Sequence, residues 1–270
     1  MSFVSGYVNW SISPEAFTAG GITVRYYGLC LIAAFLSMGE VFRRILKREN
    51  SSQVLLPITL NAVFLAALAG ARLGECLFYF PDYYMKNPME IIVPFKDGKY
   101  TGLGGLSSHG AALAIIPALI LTAKNQNLST LWLIDRVCLA IVPAACLIRI
   151  GNLLNSEILG IETSLPWGFV FETRGEDFPR HPVQIYEALC YLCIFLFLYV
   201  FYLKAGTKAP QGTVFGLFLV LIFFLRFILE MFKAPLNEFD RHSMFSTGQY
   251  LCLFFALAGT IVLMIKSREM

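Results

Sequence analysis

The chain has 270 residues, 57% of them hydrophobic and only 14% charged, with a mean hydropathy of +0.66 and a formal net charge of +3. Soluble domains carry about 25% charged and roughly 45–50% apolar residues, so an ordinary soluble domain is excluded. The aromatic content excludes a disordered chain, and the small charge, held in short clusters, argues against nucleic acid as a partner.

A helix needs about 20 mostly apolar residues to cross a bilayer, and seven runs meet this. In chain order they are approximately Val24–Phe42, Val54–Phe80, Leu106–Ala123, Leu131–Ile148, Val183–Leu203, Thr213–Phe232 and Ser243–Ile265. The runs are continuous rather than alternating with period two, which disfavours a barrel, and no internal repeat supports a transporter built from inverted halves. We therefore expect an all-α, polytopic membrane protein forming one domain over 1–270. No cleavable signal sequence is expected, because Lys and Arg are absent before Arg25. Six of the seven cysteines lie inside apolar runs and Cys76 ends another, so they read as small packing residues rather than a disulfide framework; Cys190 and Cys193 lack the polar surroundings of a redox motif.

Basic residues set the orientation. Arg43, Arg44, Lys47 and Arg48 follow the first span, Lys124 the third, Lys204 and Lys208 the fifth, and Lys266 and Arg268 the seventh. With seven spans all four groups fall on one side. The positive-inside rule makes that side cytoplasmic and places the N-terminus outside. The opposite loops, about 81–105, 149–182 and 233–242, mix acids with bases, although Lys86, Lys96 and Lys99 run against the bias.

Charge inside a span is expensive, about 2.5–3.5 kcal/mol for a central Arg on insertion scales, so each interruption needs a reason. Arg25 and Tyr27 open span one, Arg72 and Glu75 close span two, and His109 opens span three. Arg149, Asn152, Asn155 and Glu157 run off span four. His181, Gln184 and Glu187 open span five, while Arg226, Glu230 and Lys233 close span six. Taken singly these have plain readings: Arg72/Glu75 and Arg226/Glu230 could be self-neutralising helix pairs, and a lone His109 an interhelical hydrogen bonder. His242 reads as solvated, and Gly70-x-x-x-Gly74 as close helix packing. The plain readings do not explain why all these groups share the outer depth. That convergence favours a site.

The chemistry is bounded. Three scattered His without supporting ligands make no metal centre, and neither a nucleophile elbow nor a P-loop is present. The glycine-rich Gly102–Gly110 could approach a lipid headgroup closely. Arginine offers a planar fork that matches a phosphodiester. Arg149, Arg226 and His109 at one depth therefore point to an anionic phospholipid as substrate.

The same segments resemble prolipoprotein diacylglyceryl transferases. Arg149–Gly160 reads RIGNLLNSEILG, similar to that family's Arg-x-Gly-Asn-x-x-Asn-x-Glu-x-x-Gly signature. In family order stand Tyr26–Leu29 (YYGL), Ala71–Gly74 (ARLG), Gly105–Ala112 (GLSSHGAA), His181–Ala188 (HPVQIYEA) and Arg226–Pro235 (RFILEMFKAP). The resemblance implies a seven-span bacterial inner-membrane enzyme with its active site toward the outer face. It implies transfer of the sn-1,2-diacylglyceryl group of phosphatidylglycerol to the lipobox cysteine of a prolipoprotein signal peptide, with release of glycerol phosphate. By the same resemblance Arg149 binds phosphatidylglycerol and Arg226 is a second essential arginine. His109 is an essential histidine, as general base or as orienter of the headgroup. Asn152, Glu157 and Tyr27 join the catalytic set, with Gly160 and Glu230 at the phospholipid. No metal or organic cofactor is implied; the lipid bilayer and the signal peptide are the partners. The chain departs from the family at Ile222, where a tyrosine is usual, at Ala111, and at Lys233-Ala234-Pro235-Leu236, where a basic group survives and an acid is lost. Two rivals remain: a lipid or solute transporter, and a headgroup hydrolase in which water replaces the thiol.

Overall fold

A computed structural model of the chain describes residues 6–20, 22–92, 95–96, 99–100, 107–205, 209–235 and 238–268. Of the features read from sequence, Asp97, Gly102–Leu106, Lys208 and Leu236 lie outside the described residues. Strands β1 (Val8–Trp10), β2 (Glu15–Ala19) and β3 (Ile22–Arg25) lead into α1 (Tyr26–Arg48). Helix α2 (Leu55–Gly74) runs on through a wider turn over Glu75–Tyr79. After it come the short α3 (Pro81–Lys86) and α4 (Met89–Ile92) and the strands β4 (Phe95–Lys96) and β5 (Lys99–Tyr100). Helices α5 (Ser108–Asn125) and α6 (Thr130–Leu154) follow. Then come β6 (Phe169–Phe171), α7 (Val183–Ala205), α8 (Thr213–Glu230), α9 (Glu238–His242) and α10 (Thr247–Ser267).

Each predicted apolar run contains one long helix. Five of these are long and apolar enough to cross a membrane: Leu55–Tyr79, Thr130–Leu154, Val183–Ala205, Thr213–Glu230 and Thr247–Ser267. Helices α1 and α5 stand in the same bundle with more polar ends, Glu40 to Arg48 on one and Ser108–His109 and Lys124–Asn125 on the other. Starts are set by side-chain caps: Ser107 accepts from Gly110 N at 3.2 Å, and Ser246 with Gln249 forms a reciprocal capping box on α10. The bundle is assembled from the pairs α8–α10, α1–α6, α2–α5 and α6–α7. Apolar side chains point outward along the helices, Leu36 at 65% and Phe224 at 61% exposure among them.

The all-helical expectation needs one addition. Three two-stranded ladders lie outside the bundle: β1 with β6, parallel, and the antiparallel pairs β2–β3 and β4–β5. Strands of two to five residues leave no periodic trace in a sequence. Phe169 and Phe171 turn inward with Leu153 to make a small core beneath the segment that follows α6.

Two polar networks lie at opposite ends. At the end where α1 finishes, Glu49 receives Arg136 at 2.9 Å, Trp132 Nε1 at 2.9 Å and the Tyr202 hydroxyl at 2.8 Å. Beside it the Asp135 carboxylate caps α8, taking the backbone N–H groups of Gly212 and Phe215, each at 2.8 Å. These bonds clamp α1, α6, α7 and α8 together. The other end holds the candidate site.

Candidate active site

The site is built around Glu187, wholly buried on α7. A carboxylate so far from water costs several kcal/mol unless cations surround it. None of the residues within four positions on its own helix is basic, so they must come from elsewhere. Arg149 on α6 brings Nε to 2.9 Å, Lys233 just after α8 brings Nζ to 3.0 Å, and Arg226 on α8 brings Nη1 to 4.0 Å. The contacts with Arg149 and Arg226 are ionic rather than directed: Nε of both arginines is buried without a hydrogen-bond partner among the described residues. Arg149 Nε is already taken up by its ion pair at 2.9 Å, which leaves Arg226 Nε as the buried donor open to another acceptor.

Around this hub each basic residue has a second tether. Arg149 Nη1 donates to Asn152 Oδ1 at 3.2 Å, and Arg226 Nη1 to the Tyr191 hydroxyl at 3.1 Å. Lys233 donates to Glu230 Oε2 at 2.7 Å. Arg226 and Glu230 thus do not satisfy one another as a helix pair; each turns to a different partner. Glu230 is in turn boxed in by Gly248 of α10, where a Cβ would fall 2.8 Å from its carboxyl carbon.

The run after α6 supplies the second half. Asn152 Nδ2 reaches Glu157 at 3.3 Å and Asn155 Nδ2 reaches it at 2.6 Å. Ser156 and Ile158 sit at φ 50° and 55°, in the left-handed region, and so turn the chain back toward the bundle. Gly160 is needed for close approach, not for a positive φ. A Cβ there would strike the His181 carbonyl oxygen and come within 2.9 Å of Phe232 O, where the backbone crosses from Ile161 N to Phe232 O. Tyr27, in the first turn of α1, lays its ring against Gly151, one residue before Asn152, and interacts with Arg149 and Glu157.

His109 is 1% exposed at the start of α5. Its ring lies among Phe223 and Phe255, with Nδ1 3.5 Å from the Tyr79 hydroxyl and Nε2 3.6 Å from Cys252 Sγ. Arg226, Lys233 and Arg149 all act on it electrostatically. The structure therefore brings Tyr27, His109, Arg149, Asn152, Glu157, Arg226 and Glu230 to one end of the bundle, with Gly160 in the backbone that closes it. Arg25 and Arg72 stay out of the cluster. Arg25 is exposed, and Arg72 donates to the carbonyls of Glu90 and Ile91, stacks on Tyr84 and so holds the α3–α4 segment to α2.

Reading by residue underrated Glu187 and Lys233. The signal was present: an acid in an apolar run with no base within one turn must find its cation on another helix. Tyr79, Tyr191 and Cys252 left no such signal, because a hydroxyl or thiol in a membrane helix is unremarkable until its neighbours are known.

Apolar side chains outward and paired charges inward define a multi-pass helical membrane protein with buried basic side chains gathered at one end. The sequence matches the family described as prolipoprotein diacylglyceryl transferase over residues 14–265. It is 36% identical over 262 residues to a protein of Tolumonas auensis, covering 96% of this chain and 98% of that one. A Chloroherpeton thalassium protein is 36% identical over 266 residues, 98% and 96% of the two chains, and one from Bacteroides fragilis 37% over 268, 97% and 96%. All three are named phosphatidylglycerol–prolipoprotein diacylglyceryl transferase. The chain belongs to the prolipoprotein diacylglyceryl transferase family.

Proposed function

We propose that this chain transfers the diacylglyceryl group of phosphatidylglycerol to the cysteine thiol of a prolipoprotein signal peptide, the first step of lipoprotein maturation. The observation that carries this reading is the arginine pair around Glu187, two buried guanidinium groups at one end of a lipid-facing bundle, with Arg226 Nε lacking a hydrogen-bond partner among the described residues. The cysteine sulfur attacks the glyceryl carbon that bears the phosphate, a C–S bond forms, and the C–O bond breaks to release glycerol phosphate. Charge builds on the departing phosphate, where Arg149 and Arg226 stabilise it. The thiol must lose its proton, and His109, buried within electrostatic reach of the arginines, is the residue to accept it. Asn152, Glu157 and Tyr27 position Arg149. Glu230 steadies Lys233, and Gly160 lets the closing backbone lie over the phospholipid.

The protein acts as one domain over 1–270, in the bacterial inner membrane, with all seven long helices spanning and the N-terminus outside. This is supported by the basic residues Arg43, Arg44, Lys124, Lys204 and Lys266, all at the helix ends opposite Glu187. The site then faces outward, where lipobox cysteines arrive. The test is full-length protein in phosphatidylglycerol micelles with a synthetic lipobox peptide, following glycerol phosphate and peptide mass together. A diacylglyceryl mass gain in step with phosphate release, and lost in Arg149→Ala, is the expected result. Phosphate release without peptide modification would make the protein a hydrolase, and no turnover by folded protein would return it to the transporters.

A further inference from the structure

One buried polar side chain at the site end has an atom that the transfer reaction leaves unused. Gln184 lies in the first turn of α7, wholly buried. Its Nε2 donates to the Glu157 carbonyl oxygen at 2.6 Å. A carbonyl can only accept, so this bond fixes which arm of the amide is nitrogen and directs Oε1 away from Glu157. That oxygen is buried and has no hydrogen-bond partner among the described residues. An unpaired buried acceptor carries an uncompensated desolvation penalty, and native interiors rarely keep one.

Its surroundings say what could pair with it. Glu187 stands three residues on, on the same helix face, holding Arg149 and Lys233. Glu157, gripped by Gln184 through its carbonyl, is bonded through its carboxylate to Asn152, which takes Arg149 Nη1. Gln184 is thus tied to the arginine cluster by two routes. Among the described residues Arg226 Nε is a buried donor without a hydrogen-bond partner; of the buried acceptors without one, the two Glu187 oxygens already face Arg149 and Lys233, which leaves Oε1 of Gln184. A phosphodiester alone satisfies the donor but brings no proton for the acceptor. A phosphate ester with a hydroxyl a few atoms away satisfies both. An ammonium headgroup would also bring protons, but with a further positive charge beside Arg149, Arg226 and Lys233.

We propose that Gln184 reads a hydroxyl of the phospholipid headgroup and so makes the enzyme selective for a polyol phosphodiester. The proposal rests on the transferase reading above and adds to it a specificity-determining contact. The test compares phosphatidylglycerol with phosphatidylpropanol, which keeps the phosphodiester and lacks both headgroup hydroxyls. Each is given to the full-length protein with the lipobox peptide. Wild type is expected to favour phosphatidylglycerol in kcat/KM by about tenfold or more, as for sites built to hydrogen-bond a substrate hydroxyl. Gln184→Met, of similar length but without the acceptor, is expected to lose most of that preference by slowing phosphatidylglycerol alone. Wild type that uses both lipids equally overturns the proposal without any variant. A Gln184→Met enzyme that keeps the preference, or slows on both lipids by one factor, overturns it too. Absence of transfer from either lipid by folded wild type would remove the transferase reading itself, and this proposal with it.

Discussion

Glu187 shows what a single carboxylate can organise. It contacts three cations drawn from α6, α8 and the residues after α8, and is itself inaccessible to water. Removing its charge leaves Arg149, Arg226 and Lys233 close together in a poorly solvated site, with Glu230 holding Lys233 alone. We expect Glu187→Gln to cost about 3 kcal/mol of stability, the scale for breaking one side of a buried ion pair, read as an earlier unfolding temperature in detergent. The arginines would also shift, and about a hundredfold loss in kcat/KM is expected from displacement on the order of 1 Å. A Glu187→Gln enzyme with wild-type turnover would mean that the helices alone hold the arginines. The two halves of this arrangement were unequally legible. Arg149, Asn152 and Glu157 lie within nine residues and bond to one another, so the sequence run exposes them as a unit. Glu187 meets its partners across 38, 39 and 46 positions, and such a pairing exists only once the helices are packed.

At the scale of elements, the closest helix contact positions His109. Gly70 and Gly74 on α2 read from sequence as a packing face, and the structure supplies the partner, Gly110 on α5. A Cβ added to Gly110 would run into the Gly70 carbonyl oxygen and lie 2.6 Å from Gly74 Cα. The atoms in the way are backbone, so the helices themselves would have to separate. Gly110→Ala is expected to destabilise by about 1–3 kcal/mol and, because residue 109 moves with it, to lower kcat by more than stability alone explains. Gly28→Ala, with nothing within 4 Å of the added carbon, is the matched control and should leave both unchanged. A Gly110→Ala protein as active as the Gly28→Ala control would show that α5 can shift without disturbing His109. Helix positions were legible because a continuous apolar run of this length has one stable state in lipid. The ladder between Val8 and Phe169 was not, since three residues pairing across such a separation carry no local pattern.

At the scale of the whole molecule, the two ends differ in how completely their charges are used. At the Glu49 end the carboxylates are tied within the protein: Glu49 takes Arg136, Trp132 and Tyr202, and Asp135 takes two backbone amides. Such a network holds four helices and leaves little for a ligand. At the Glu187 end, outside the ion pairs, Arg226 Nε and Gln184 Oε1 are buried without a hydrogen-bond partner among the described residues. A bundle pinned at one end and open to ligands at the other should have its closed end where no substrate arrives. On the proposed orientation, argued from the basic helix ends, that closed end is the cytoplasmic one. Cysteines introduced at exposed positions test this directly in spheroplasts with a membrane-impermeant maleimide. Arg174→Cys, in the segment between α6 and α7 at the site end, should label in intact cells. Lys124→Cys, at the far end of α5, should label only after the membrane is opened, with the native seven-cysteine protein as background. The reverse pattern would turn the arginine cluster toward the cytoplasm, away from secreted precursors, and the proposed reaction would lose its second substrate.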